Sequence, residues 1–149
     1  MIIREGCLND LDQLVMLFDS YLQFYHKQSN VIAARQFLSE RISRHESVIF
    51  VAEESGTLAG FAQLYPLFSS TRMKRLWLLN DLFVHVDRRR RGISKRLVER
   101  CFLLAEETNA CGVMLETEKS NTISNALYLK MNFTLIHSNF YFFRNVNAG

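Results

Sequence analysis

One stretch of the chain, residues 76–105, combines a strand, a basic glycine turn and a helix. Residues 76–86 are the longest strand-like apolar run, and Gly92 follows four consecutive arginines at 88–91. Apolar residues then recur at helical spacing as far as Ala105, which predicts an amphipathic helix. The unpaired N–H groups and the positive dipole end at such a helix start bind anions, most often pyrophosphate. The stretch therefore indicates a phosphate site, with a solvated basic turn or a nuclear-localisation-like run as the alternative.

Positive charge is concentrated around this turn. Residues 72–100 contain ten of the 18 Lys and Arg residues and only three acids, which gives +7, whereas the rest of the chain is −4. A protein that wraps nucleic acid needs a broader basic surface. The pattern favours one local anion site, and no nucleic acid is expected as a partner. The Gly-Lys-Ser/Thr and Gly-x-Gly-x-x-Gly loops of other phosphate sites are missing.

The remaining composition narrows the class of protein. A chain of 149 residues that is 48% hydrophobic predicts a single domain, residues 1–149. No apolar run is long enough to span a membrane, so no membrane partner is expected. Cys7, Cys101 and Cys111 are odd in number and lack metal-type spacing, and the four His form no ligand cluster. We expect buried thiols in the reducing cytoplasm and no metal site.

The order of predicted elements is βααββ followed by βαβαββ. Strand–helix–strand order in the second half predicts a parallel pair beside antiparallel neighbours. The fold class is therefore α/β, a mixed sheet of about seven strands with about four helices on both faces. The strands are expected at residues 1–4, 48–52, 58–67, 76–86, 113–117, 133–137 and 140–144, and the helices begin near Asn9, Asn30, Gly92 and Asn121.

Two segments resemble motifs of the GCN5-related N-acetyltransferase (GNAT) superfamily. Residues 84–97 resemble its acyl-CoA motif, Arg/Gln-x-x-Gly-x-Gly/Ala, which follows a strand and opens a helix. Arg89 and Gly92 match this motif. Ser94 stands where the motif has Gly or Ala, so one small residue takes the place of another. The element order matches the family over essentially the whole chain.

The second segment, residues 121–133, resembles the signature Asn-x-x-Ala-x-x-Leu-Tyr-x-Lys-x-Gly-Phe. Ser124 and Asn132 depart from it. Asn132 is tolerable because Asn also adopts left-handed conformations at helix ends. The two motifs together imply the GNAT acyl-CoA N-acyltransferase fold.

The resemblance implies acetyl-CoA as the cofactor. Backbone amides of the turn would hold its pyrophosphate, and its pantetheine arm would add to the strand edge at 80–86 like a further strand. In the family a bulge and the splaying of the next strand, here containing Leu115, open that edge. A main-chain amide near the end of the strand would polarise the thioester carbonyl. The implied cofactor contacts are Leu82, Phe83, Val84, Arg89, Arg90, Arg91, Gly92, Ile93, Ser94, Asn121, Ser124 and Tyr128.

Three residues are candidates for proton transfer. The resemblance places Tyr128 near the thioester sulfur, where its phenol would protonate the departing thiolate; the alternative is a packed helix aromatic. A carboxylate in a mostly apolar strand is costly unless it is paired or functional. Asp81, and Glu116 on the adjacent strand, are therefore candidate bases for the amine, with structural ion pairs or a bound water as alternatives.

Tyr25, His26 and Tyr65, together with Asp81, are the candidate acceptor-binding residues, since in the family the first two helices cover the acceptor. Core packing or a dimer contact is the alternative for the helix aromatics.

The reaction expected is acetyl transfer from acetyl-CoA to a primary amine of a small molecule, by direct attack in a ternary complex. The alternatives are a protein lysine or N-terminal acetyltransferase, a non-catalytic acyl-CoA-binding protein and, last, a nucleic-acid-binding module. A homodimer is a further expectation, from the apolar residues 140–143.

Overall fold

The apolar runs of the first two thirds of the chain form one mixed sheet. The computed structural model describes residues 1–149, which divide into two compact units, Met1–Glu116 and Thr117–Gly149. The single-domain organisation stays a prediction. The sheet lies in the first unit, and its strands follow one another in chain order. They are β1 (Ile2–Glu5), β2 (Val48–Glu54), β3 (Thr57–Ser69), β4 (Lys74–Val84) and β5 (Val113–Met114).

Four helices accompany the sheet. In chain order they are α1 (Leu11–Phe24), α2 (Val31–Ser43), α3 (Ile93–Glu107) and α4 (Thr122–Lys130). Asn30 caps α2 as predicted, because its side chain accepts a hydrogen bond from the Ala33 amide. None of the four helices combines the length and the apolar composition that a membrane span requires.

The sheet is antiparallel from β1 to β4 and parallel between β4 and β5. The predicted parallel pair beside antiparallel neighbours is therefore confirmed. A 3-10 turn, Val86–Arg88, separates β4 from the loop that starts α3.

Alternation along β2 shows that helices cover both faces of the sheet. Ile49 and Val51 belong to the core formed with α1 and α2. Phe50 points to the other face, where the guanidinium of Arg100 on α3 lies 4.4 Å from its ring centroid. The prediction of helices on both faces is confirmed.

The prediction of about seven strands is wrong in number, because the last two expected strands do not form. Residues 133–144 contain neither helix nor strand. Phe140 and Tyr141 are 73% and 91% exposed. An apolar run becomes a strand only with a backbone partner beside it, and these residues pair with no strand.

The cysteines only partly match their prediction. All three thiols are free; Cys101 is buried on α3, but Cys7 is exposed in the connection that follows β1. Burial of the Cys101 thiol raises its pKa to about 12, which makes it a core residue rather than a nucleophile. No group of three or more His, Cys, Asp or Glu is placed to hold a metal ion.

Candidate active site

A β-bulge at Asn80 interrupts β4 beside the centre of the sheet. Gln63 of β3 pairs with Asp81, whereas the next residue, Leu64, pairs with Leu79. Asn80 therefore has no partner on β3, which bends β4 at this point. The bulge expected from the resemblance is present.

The sheet also opens at the bulge. β4 pairs with β5 only through Trp77 and Leu78, and β5 ends at Met114. From Leu79 onward no strand pairs with the outer edge of β4. The strands part just before Leu115, as the resemblance implies.

The alternation of an antiparallel ladder shows which backbone N–H and C=O groups of β4 face this outer edge. The His85 amide donates to the Ala59 carbonyl at 2.8 Å, so His85 faces β3. Its neighbour Val84, and Leu82 two residues earlier, therefore direct their N–H and C=O groups to the outer edge. These groups are the ones that an added strand would use.

The side chain of Arg89 folds back onto this edge. Its Nε–H donates to the Val84 carbonyl at 3.1 Å. Its guanidinium lies 5.6 Å from the ring centroids of both Phe24 and Phe83. The motif arginine thus fixes the turn to the end of β4 and to the aromatic residues beside it.

The turn before α3 has the geometry of an anion cradle. Arg90 and Gly92 are left-handed, with φ of 63° and 72°. Such conformations make successive N–H groups converge on one point. The first backbone bond of α3 joins the Arg96 amide to the Gly92 carbonyl, so the amides of 93–95 have no partner within the helix. A Cβ at Gly92 would meet no atom within 4 Å, which leaves room for a ligand there.

Two of the four arginines of the turn are held by one acid. Arg88 forms a very short ion pair with Glu54, and Nη1 of Arg91 lies 3.4 Å from the same carboxylate oxygen. Their charge is therefore partly neutralised on β2. The backbone amides of the turn, rather than these side chains, are the groups available to an anion.

Asp81 is the buried carboxylate of this region, and it is 5% exposed. Its Oδ2 accepts from Nε2 of Gln63 at 2.7 Å, and its Oδ1 accepts from Nδ2 of Asn80 at 3.1 Å. Burial raises the pKa of Asp81, while the hydrogen bonds from Gln63 and Asn80 act in the opposite direction. The result is a carboxylate with an increased affinity for a proton.

Aromatic side chains cover Asp81 from α1. The Tyr21 hydroxyl donates to the Asn80 carbonyl at 3.3 Å, at the bulge itself. The Tyr21 ring packs edge-on against Tyr25 and Phe83, with centroid distances of 5.1 and 6.1 Å. Aromatic rings, whose faces attract cations, thus lie in the same region as the Asp81 carboxylate.

The three predicted acceptor residues differ in their placement. Tyr65 is half-buried on β3, two residues after the partner of Asp81, and both burial and the charge of Asp81 raise the pKa of its phenol. Tyr25 ends α1 in contact with Tyr21. His26 follows, exposed and in a left-handed conformation.

Glu116 does not lie in the predicted setting. It was expected on a strand like that of Asp81, but β5 ends two residues earlier and Glu116 is exposed. The parting of β5 from β4 ends the ladder before this residue. Glu116 therefore lacks the burial that distinguishes Asp81, although its role as a base stays untested.

Gln63 is a residue that sequence analysis did not select. Gln63 is completely buried, and its hydrogen bond orients Asp81. The only signal for it in the sequence is an amide within the apolar run of β3.

In the second unit, two residues of the family signature have clear local roles. The Asn121 side chain caps α4 by accepting from the Ser124 amide at 3.2 Å. Asn132 follows the helix with φ of 68°, the left-handed conformation that Asn tolerates. The Tyr128 ring is half-buried and packs edge-on against Phe133 at 5.5 Å.

Comparisons with known proteins agree with this geometry. Residues 12–133 match the model of the acetyltransferase (GNAT) family. An uncharacterised N-acetyltransferase of Bacillus subtilis, YhfO, is 41% identical over 128 residues, which cover 86% of each chain. A crystal structure of a probable acetyltransferase superposes with a TM-score of 0.90 at 34% identity, covering 98% of both chains. An aminoglycoside N-acetyltransferase in complex with CoA shares the fold alone, with a TM-score of 0.82, 20% identity and coverage of 97% of this chain and 94% of that one.

The family match extends over more than half of the chain, and the relative from B. subtilis is similar over most of its length. The mixed sheet, the bulge in β4 and the glycine turn before α3 are the structural counterparts of that match. The chain belongs to the acetyltransferase (GNAT) family and is an acyltransferase enzyme.

Proposed function

We propose that the protein transfers an acetyl group from acetyl-CoA to a primary amine of a small molecule, by direct attack within a ternary complex. The observation that carries this proposal is the position of Asp81. It is a buried carboxylate with a raised pKa, one residue from the bulge that opens the edge of β4. A base in this position can take a proton from an amine held beside that edge.

The turn and the β4 edge fit coenzyme A chemically. The amides of residues 89–94 would bind the pyrophosphate, because converging N–H groups at a helix start suit an anion. The outward N–H and C=O groups of Leu82 would pair with the amides of the pantetheine arm, as in strand addition, while the Val84 carbonyl accepts from Arg89. Bound acetyl-CoA supplies the activated thioester.

Asp81 accounts for the proton balance on the amine side. Its carboxylate takes one proton from the acceptor ammonium: an N–H bond breaks, an O–H bond forms, and the nitrogen keeps its electron pair for attack on the thioester carbonyl carbon. The main-chain amide of Val84, which faces the outer edge, would stabilise the charge that develops on the carbonyl oxygen, whereas the amide of Phe83 faces β3. As the C–S bond breaks, Tyr128 would give its phenolic proton to the departing sulfur, a role that follows from the family resemblance. The nitrogen loses its second proton on forming the amide, and this proton would return to the phenolate of Tyr128. Glu116 is the alternative base.

The surroundings of Asp81 favour a small amine with an apolar body. Tyr21, Tyr25 and Tyr65 present aromatic surface, and ring faces attract an ammonium group. Tyr25, His26 and Tyr65 would contact the body of this acceptor. Asp81 would hold its amine.

A lysine-rich protein tail fits less well, because acids on α1, on α2 and in the connection after α2 are already engaged. Asp19 accepts from Ser29, Gln23 and the Asn30 amide. Glu40 and Glu46 both pair with Arg41, at 3.3 and 3.1 Å. A basic peptide would find no row of available carboxylates here.

The test of substrate class is an acetyl-transfer screen over monoamines, polyamines, amino acids, aminoglycosides and lysine peptides, read by mass spectrometry of the products. We expect acetylated small monoamines with apolar bodies. Acetylation of peptides alone would favour the protein-acetyltransferase alternative. Binding of acetyl-CoA with no product from any amine would favour the non-catalytic one.

A homodimer and a cytoplasmic location stay predictions. The homodimer is supported by an exposed aromatic run in the second unit, Phe140, Tyr141, Phe142 and Phe143. The cytoplasmic location is supported by three free cysteines.

A further inference from the structure

A buried amide connects Asp81 to the start of β2. Gln63 is 0% exposed, although an unpaired amide in an apolar interior is costly. Both ends of its side chain are bonded: Nε2 donates to Oδ2 of Asp81 at 2.7 Å, and Oε1 accepts from the Ser47 hydroxyl at 2.8 Å. Ser47 just before β2, Gln63 on β3 and Asp81 on β4 thus form one hydrogen-bonded chain.

The charge of Asp81 fixes the direction of this chain. In the opposite amide orientation, Oε1 of Gln63 would face the carboxylate, and two acceptors would repel each other. With the NH2 group facing Asp81, Oε1 can accept from the Ser47 hydroxyl at 2.8 Å, so both ends of the amide are satisfied. Gln63 therefore donates to the ionised form of Asp81 and holds one of its two oxygens in place.

Few other groups act on Asp81. Tyr21 on α1 and Tyr65 on β3 are the titratable residues that face it, and Arg41 on α2 acts on Tyr65. On β2, the residue opposite Gln63 is the apolar Ile49. The hydrogen bond from Gln63 to Asp81, at 2.7 Å, is shorter than the one from Asn80, at 3.1 Å.

We propose that Gln63, held by Ser47, is a positioning residue that aims the carboxylate of Asp81 at the acceptor amine and keeps it ionised for proton transfer. The inference rests on the proposed function, in which Asp81 receives the proton of the acceptor ammonium. Gln63 itself exchanges no proton. Its effect is to fix which oxygen is bonded and which is directed toward the amine.

The central variant is Gln63→Met, which has a similar size and lacks the donor. We expect kcat to fall about tenfold and the acidic limb of kcat/KM to move up by about one pH unit, the size expected for losing a hydrogen bond to a charged group. The KM for acetyl-CoA should not change. The control is Leu64→Val, which perturbs the neighbouring, fully buried position on the opposite face of β3. It should leave the pH profile in place.

Ser47→Ala keeps Gln63 and removes only the group that holds it, so it tests the chain if Gln63→Met fails to fold. Its acidic limb should move in the same direction by a smaller amount. An unchanged pH profile in both variants, or the same shift in Leu64→Val, would overturn the positioning role.

A measurement without turnover separates this inference from the proposed function. The 13C signal of the Asp81 carboxyl, assigned with Asp81→Asn, can be titrated in the protein without acetyl-CoA. Its midpoint should rise in Gln63→Met. Full activity of Asp81→Asn would remove Asp81 as the base, and the proposed mechanism would fail whatever Gln63 does. An inactive Asp81→Asn together with an unmoved carboxyl titration in Gln63→Met would remove the positioning role alone.

Discussion

Burial and hydrogen bonding act in opposite directions on Asp81. Burial raises its pKa, and the donors around it reduce that shift without cancelling it. A base needs this balance, because it must be ionised before the reaction and must hold a proton during it. The same balance has a consequence for the stability of the folded chain.

The asparagine variant of Asp81 should be more stable than the wild type at pH 8. Because the pKa of Asp81 is higher in the folded chain than in the unfolded chain, its contribution to stability is complete below the unfolded value of about 3.9 and is lost as the pH rises through the folded value. Thermal unfolding should therefore show a higher Tm for Asp81→Asn at pH 8, and the gain should shrink as the pH falls toward 4.

Asp12→Asn is the control for this stability measurement, since Asp12 is an exposed acid paired with Arg35 on the surface. Its Tm should stay close to that of the wild type at both pH values. A lower Tm for Asp81→Asn at pH 8 would mean that the ionised carboxylate and its donors stabilise the fold, contrary to this account.

Removing the phenol of Tyr128 should affect turnover more than binding. In Tyr128→Phe the ring that packs on Phe133 is kept and only the hydroxyl is lost. If this hydroxyl protonates the departing thiolate, kcat should fall about 100-fold. Calorimetry should give an unchanged Kd for acetyl-CoA. Wild-type turnover in this variant would leave Tyr128 as a packing residue.

At the scale of elements, the turn between β4 and α3 determines whether the chain can hold a pyrophosphate. Gly92 and Gly56 form a matched pair, since both have a positive φ and open space at the Cβ position. Leucine at either position should cost about 1–2 kcal/mol of stability from the left-handed backbone. Only Gly92→Leu should weaken acetyl-CoA binding.

We expect the Kd of Gly92→Leu for acetyl-CoA to rise about 30-fold or more in calorimetry, as for the loss of one charge-assisted hydrogen bond of about 2 kcal/mol. Gly56→Leu should bind like the wild type. Equal affinities in the two variants would show that the pyrophosphate does not bind at this turn.

The elements that sequence analysis predicted correctly depend on local patterns. The spacing along α1 and α3 and the side-chain cap of Asn30 are visible within a few residues. The two strands expected in residues 133–144 failed because a strand also requires a neighbouring ladder, which no local pattern supplies. For the same reason β5 is shorter than its apolar run.

At the scale of the whole molecule, the candidate site was predictable where a motif marks it and not where pairing between distant strands builds it. Gly92 and the bulge of β4 follow from the resemblance to the GNAT family. Gln63 reaches Asp81 only through the register of β3 and β4, which the bulge at Asn80 sets. The pairing of Arg88 and Arg91 with Glu54 likewise depends on the fold.

The most direct test of the account is kcat/KM as a function of pH for the best small amine, in the wild type and in Asp81→Asn. The proposed mechanism predicts a wild-type acidic limb above the ordinary range of an aspartate, because burial raises the pKa of Asp81. It also predicts a loss of about 100-fold or more in the variant, with acetyl-CoA binding unchanged. An Asp81→Asn enzyme with wild-type kcat/KM and the same pH profile would contradict it.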